Sequence, residues 1–319
     1  MNDNNEAVTA LKDIALEGIK ERRRARRWGI FFKLAFLGYF FILLIVMSSS
    51  ITDAGGNTAI DAEEITAVID VSGVIMDGME ASAEFIIPSL QKAFEDERTK
   101  GVMIRINSPG GSPVQAGYIN DEIYRLKEKY PHIPVYAVVS DMCASGGYYI
   151  AVAADEIYVD KASIVGSIGV RMDAFGFVGA MEKLGIERRL ITAGEHKGIL
   201  DPFKPIDAAE IQHLETMLAH THRQFKNVVK EGRGKRLADN PDIFSGLFWT
   251  GEDAITLGLA DKIGSDAYVA REVIKAKDQV NFTSEKDVLE RLADRISTSV
   301  STMIHATLLK SDIASPRLY

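Results

Sequence analysis

The chain has 319 residues, 46% apolar and 26% charged, a formal net charge of −8 and an isoelectric point near 5.4. This is the make-up of an ordinary globular protein with one large or two modest domains, and the acidic excess excludes nucleic acid as the main partner, because no basic face survives it outside the N-terminal arginines. The single cysteine, Cys143, excludes an intrachain disulfide framework and a cysteine-rich metal site; among small apolar neighbours it reads as a buried structural thiol.

Residues 1–28 combine an amphipathic helical pattern from Ala7 to Lys20 with the basic run Arg22 to Arg27. Gly29 to Met47 is apolar apart from Lys33, whose long side chain can snorkel to headgroups from its place near the start. At 1.5 Å per residue this stretch reaches about 28 Å, enough to cross the hydrocarbon of a bilayer. The arginines precede the span, so the expected orientation has a cytoplasmic N-terminus and an external globular domain. A cleavable signal peptide, cut near Ser48-Ser49-Ser50, is the alternative, although a head this long favours a retained anchor.

Residues 48–62 form a polar linker, and 63–277 carry the globular pattern. Ile65 to Ile75 reads as a strand, Ser82 to Glu95 as a helix, and Val102 to Ile106 as a second core strand. The loop Asn107-Ser108-Pro109-Gly110-Gly111-Ser112-Pro113 follows, then a helix from Val114 to Lys129. Paired glycines in such a turn suit a loop that presents backbone N–H groups to a ligand, and ordinary turn chemistry explains them equally.

Val135 to Val139 is a buried strand, Met142-Cys143-Ala144-Ser145-Gly146-Gly147 a turn, and Tyr148 to Ala154 an apolar helix. Ser145 therefore sits on a strand-to-helix turn, with its Oγ near unpaired N–H groups and the positive end of the helix dipole. A nucleophile elbow has this geometry; a serine N-cap with packing glycines is the plainer account. Consecutive βαβ units imply an α/β fold with a parallel sheet, whose functional loops lie at the strands' carboxyl ends.

A strand at Glu156 to Val159 leads to the Gly/Ser-rich return from Lys161 to Val170. Phe177 to Leu184 reads as a helix, Glu187 to Thr192 as a strand, Asp207 to Glu231 as a long helix, and Trp249 to Ala254 as the start of another that ends near Gly258. Residues 278–319 read as a helical tail, with a charged amphipathic helix to about Arg295 and an apolar patch at Met303 to Leu309.

A neutral serine needs a base. His196 is the best-placed histidine, while His213, His220 and His222 fall on the long helix, where His220 and His222, two apart, point away from each other and make a poor zinc pair. Lys197 is the other candidate. A lysine acts as a base only when neutral, which at neutral pH requires burial without a carboxylate partner; Ile199, Leu200 and Phe203 are suitable walls, and Glu195 and Asp201 must point elsewhere. A solvated loop lysine is the plainer account.

Four motifs stand in order: Asn107 to Gly111, Ala144 to Ala151, Val165 to Val170, and Gly194-Glu195-His196-Lys197, with Trp249-Thr250-Gly251 beyond them. Together they resemble the bacterial signal peptide peptidase family, short form, over about Ile65 to Ile263. The resemblance implies a Ser-Lys serine protease on a crotonase-like, Clp-protease-like spiral of βαβ units with an N-terminal transmembrane helix. It implies Ser145 as nucleophile, Lys197 as general base, Ser167 as the serine that orients the lysine, and the N–H groups of Gly146 and Gly111 as the oxyanion hole, with His196 a bystander. It further implies no metal or nucleotide cofactor, remnant signal peptides and other apolar peptides as substrates, and a homo-oligomer whose serine and lysine meet across a protomer boundary. The location implied is the bacterial inner membrane, single-pass, with the catalytic domain periplasmic or extracellular. Acyl-CoA chemistry on the same fold, a catalytically silent membrane scaffold, and a related inner-membrane protease of undefined substrate are the alternatives.

Overall fold

The computed structural model describes residues 23, 24, 26–42 and 62–284. The expected amphipathic helix of residues 7–20, most of the linker, and the tail beyond residue 284 lie outside them. The chain divides into two units, Met1–Ile60 and Asp61–Tyr319.

In the first unit residues 26–42 are helical and expose apolar side chains on every side, among them Phe31, Phe36, Leu37 and Phe41. Trp28 stacks on Phe32 with ring centroids 5.7 Å apart. Among the described residues no helix is long and apolar enough to cross a membrane. The expected span runs on to Met47, and residues 43–47 are outside the described set.

The second unit is built on one sheet. Its long strands are β1 (Ile65–Ile75), β2 (Thr99–Gly111) and β3 (Val135–Ala144), each parallel to the next. Short strands complete it: β4 (Glu156–Val159), β5 (Ile164–Gly166), β6 (Phe248–Thr250), β7 (Lys262–Ile263) and β8 (Gln279–Asn281). The order is β6-β5-β3-β2-β1-β8, with β4 beside β3 and β7 beside β4; only the β5–β6 pair is antiparallel. Strand β3 changes partner along its length: Tyr136 to Val138 pair with β4, and Met142 to Ala144 with β5.

These strands are apolar on both faces, as parallel strands covered on both sides must be. Val102, Ile104 and Ile106 of β2 point into the main core, under helices α1 (Ala83–Glu95) and α2 (Pro113–Lys129), whereas Met103 joins Val138, Tyr158, Val269 and Ile274 on the other face. Helix α1 buries Ile86, Leu90, Ala93 and Phe94, the i, i+4, i+7, i+8 stripe of a surface helix. Pro113 in the first turn of α2 suits a position whose N–H has no helical partner, and Ser112 caps it by accepting from the Gln115 amide. After β3 comes the six-residue α3 (Gly146–Ala151); α4 (Val178–Leu184) and the long α5 (Ala208–Arg233) follow, then α6 (Gly251–Thr256).

Helix α5 starts on Asp207, whose carboxylate accepts from the amides of Ala209 and Glu210. It ends in the buried Arg233, which donates through both terminal nitrogens to Asp261 and through Nε to the Gly258 carbonyl. Burial alone would push the Asp261 carboxyl up; the Arg233 fork, the Ile157 amide and the nearby Arg236 charge outweigh it and hold the group below the usual carboxylate range.

Three expectations are corrected. Glu187 to Thr192 is not a strand: it lies on an exposed stretch and pairs with nothing in the sheet. Trp249 and Thr250 belong to β6, so the helix begins at Gly251. Residues 279–281, placed with the helical tail, form β8 and extend the sheet past β1.

Candidate active site

Strand register gathers the motifs. Val74 and Ile75 of β1 lie opposite Gly110 and Gly111 of β2, Ser108 opposite Cys143 of β3, and Ala144 opposite Gly166 of β5. The turns after β2, β3 and β5 therefore open at one end of the sheet, where topology predicts a ligand crevice. A groove of about 700 Å³ lies there, lined by Gly110, Gly111, Ser145, Gly146 and Ser167 among others.

Ser145 occupies the N-cap position of α3, yet its side chain makes no capping bond. Its backbone has φ 51° and ψ −120°, a conformation that L residues adopt only at a cost of about 1–3 kcal/mol. A serine selected as a cap would have an extended backbone and an occupied hydroxyl; this one has neither, and its Oγ lines the groove. The strain is held by the Ser145 amide donating to the Gly166 carbonyl at 2.8 Å and by the Tyr149 amide donating to the Ser145 carbonyl at 3.0 Å. Ser167 is also strained, at φ 52°, with its amide donating to the Leu247 carbonyl at 2.7 Å.

The glycine pair that ends β2, expected from sequence to be loop, lies directly on this turn. A Cβ on Gly110, whose φ is +93°, would sit 2.5 Å from the Gly146 nitrogen and 2.7 Å from the Ser145 Cβ. A Cβ on Gly146 would lie 3.2 Å from the Gly111 nitrogen, so the two glycines expected to supply the oxyanion donors pack against each other. Buried Ser108 holds the loop by donating to the Gly73 carbonyl and accepting from the Gly110 amide.

Several groove residues carry no motif and were missed from sequence. Thr221, Gln224 and Phe225 come from α5, Ser245, Gly246 and Phe248 from the approach to β6 and its first residue, and Val74 and Arg171 from beside the motifs. The only sign of them was the Phe225–Val229 spacing that turns one face of α5 inward.

Among the described residues no histidine lines the groove. His222 bonds the Ile168 carbonyl at 3.2 Å, and His196 lies 3.4 Å from Glu210. Cys143 is buried, and burial pushes its thiol up, away from a reactive thiolate. Among the described residues no cluster of histidine, cysteine and carboxylate side chains could hold a metal.

Lys197 is not in the groove. It is exposed, on the turn closed by its own amide donating to the Gly194 carbonyl, within an arm of residues 171–206 that is exposed along most of its length. Ile191 is 95%, Ile206 82%, Phe175 79% and Leu184 73% accessible. Phe177 and Phe203 pack together at 5.7 Å, and Arg188 pairs with Asp201, so the arm has its own internal order.

A strained, uncapped serine beside a glycine pair at the open end of a parallel sheet is an arrangement that suits a serine nucleophile. Sequence comparison agrees with that class. The chain matches Peptidase family S49 over residues 127–281, which takes in Ser145, Ser167 and Lys197. It is 50% identical over 175 residues to a Brucella melitensis protein named Na(+)/H(+) antiporter NhaA, covering 55% of this chain and 24% of that one. It is 30% identical over 204 residues to an Enterococcus faecium protein named as a signal peptide peptidase, SppA, covering 61% of this chain and 59% of that relative. A Synechocystis protein named as a protease is 30% identical over 200 residues, 63% of this chain and 70% of the relative. The chain thus spans less than two thirds of the first two relatives. It belongs to peptidase family S49, in line with the resemblance to the signal peptide peptidases.

Proposed function

We propose that the protein is a membrane-anchored serine endopeptidase that degrades remnant signal peptides through a Ser145–Lys197 dyad. The observation that carries this reading is Ser145 itself, strained, uncapped and facing a groove beside two glycine amides. Its Oγ attacks the scissile carbonyl; the Gly146 and Gly111 N–H groups receive the oxyanion, and the rigid loop spares reorganisation at that moment. Lys197 takes the hydroxyl proton and returns it to the leaving amine, and Ser167 orients the lysine. Water then hydrolyses the acyl-enzyme.

In this reading the base comes from a second copy. Support lies in the arm, which displays Lys197 outside the groove and leaves large apolar side chains uncovered, an amount of exposed hydrophobic surface that marks an interaction site. Burial against a neighbour would also exclude water from the amine, the condition a lysine base needs. The apolar side chains from Trp28 to Ile42 and the hydropathy up to Met47 support an anchor in the lipid bilayer of the bacterial inner membrane, with the catalytic domain outside the cytoplasm. The relative named as a signal peptide peptidase supports the substrate class.

The test is cleavage of an apolar signal peptide by detergent-solubilised protein. Ser145→Ala and Lys197→Ala are expected to abolish turnover, while His196→Ala, which removes no reacting group, keeps measurable turnover. Loss with His196→Ala and retention with Lys197→Ala would replace the dyad by a histidine mechanism.

A further inference from the structure

Two carboxylates near the Lys197 turn, Asp201 and Glu210, are each held by another cation, and Glu195 beside it is exposed. Asp201 accepts from Arg188 at 3.1 Å and from the Phe203 amide. Glu210, in the first turn of α5, is buried; both its oxygens accept from Lys204 Nζ, at 2.8 and 3.0 Å, and one lies 3.4 Å from His196 Nδ1, the residue next to Lys197. Among the described residues no ion pair includes Lys197. A carboxylate of such low accessibility is unusual at the exposed start of α5, and it needs a partner to be tolerated.

We propose that Glu210 and Lys204 form a charge-balanced clamp, which fixes the Lys197 turn through His196 and withholds a carboxylate from the lysine amine. Glu210 and Lys204 are positioning residues: neither reaches the groove. The inference rests on Lys197 being the base. Its logic is electrostatic. A carboxylate free to approach Lys197 would stabilise the ammonium and take the base out of action near neutral pH; a neutralised one anchors the turn without that penalty. The Lys204 bond is also the main reason Glu210 is held below the usual carboxylate range.

The charged groups around the clamp are few. On the arm they are Glu195, His196, Arg188 and Asp201; on the α5 side Asp207, which senses both Lys204 and His196. In the groove that would receive the lysine, Arg171 is the one charged lining residue among the described residues.

The experiment is the pH profile of kcat/KM for peptide cleavage by the full-length protein and four variants, Lys197→Ala among them, with oligomeric state and thermal melting measured alongside. Glu210→Gln leaves Lys204 unbalanced, so the acid limb that reports the base should move down by roughly half a pH unit, and kcat should fall about tenfold as the turn loosens, with KM little changed. Lys204→Met leaves Glu210 unbalanced, so the same limb should move up. The double variant should bring the limb back towards wild type. Opposite displacements separate the clamp from a purely structural role, which moves both single variants the same way or neither. Unmoved or parallel limbs, with Lys197→Ala inactive, overturn the clamp alone. An active Lys197→Ala overturns the base assignment and the clamp with it.

Discussion

At Gly110 the demands of backbone and chemistry coincide. Its φ of +93° is open to glycine at no cost, and its missing side chain is the space in which the Ser145 turn sits. Gly110→Ala must displace the Gly146 nitrogen, one of the two donors assigned to the oxyanion. We expect kcat/KM to fall by roughly 10²–10³, the usual cost of one lost donor, and stability to drop by about 1–3 kcal/mol. Gly117 supplies the contrast. It lies inside α2 with nothing within 4 Å of an added Cβ, so Gly117→Ala should stabilise the fold by about 0.5–1 kcal/mol and leave turnover intact. Equal losses in both, by melting and steady-state assay, would mean that added bulk rather than donor geometry matters at Gly110. At this scale the sequence was informative, because glycine pairs and a serine on a strand-to-helix turn are local signals. It left the N-cap account of Ser145 open, and the dihedral angles with the unused hydroxyl decide that question.

Elements were legible where local pattern and long-range pairing agree. The sequence places β1 at Ile65 to Ile75 by its alternation, and the structure buries most of that run; β4 is equally plain. Glu187 to Thr192 has strand-like composition, but propensity without a neighbouring strand forms no ladder. Strand β6 failed in the opposite sense: three residues carry no pattern, and only pairing with β5 defines them. Helix α5 was legible as a helix, whereas its anchor was not, since arginine is normally a surface residue. The inward stripe Phe225, Val229, Arg233 ends on a charge because Asp261 waits for it. Arg233→Met should cost ~3–5 kcal/mol by leaving that carboxylate without its main partner. The pH dependence follows from the depressed Asp261 group. Its folded value lies below its unfolded one, so the stabilisation is complete above the unfolded value, near 3.9, and is lost as pH falls through the folded value. Thermal melts between pH 6 and 3 should show wild type losing stability at the acid end, and Arg233→Met, low throughout, losing less. A variant with wild-type slope would show that Asp261 is not the group responsible.

For the whole molecule the decisive fact is a separation: Ser145 faces the groove, Lys197 stands on an exposed arm, and the arm's apolar side chains are uncovered. No sequence pattern can reveal this, because spacing along a chain does not say whether two residues meet within one copy or between two. If the dyad forms between copies in a closed assembly, each site draws its serine and its lysine from different chains. Ser145→Ala and Lys197→Ala should then each be inactive alone yet complement one another. Co-assembled in equal amounts, they should recover roughly a quarter of wild-type turnover, the random chance that an intact serine meets an intact lysine. Recovery requires subunit exchange, so the mixture is formed by co-expression, with two affinity tags to isolate mixed assemblies. Mixed assemblies without activity would mean that serine and lysine act within one copy, and the arm would then have to fold back onto its own groove.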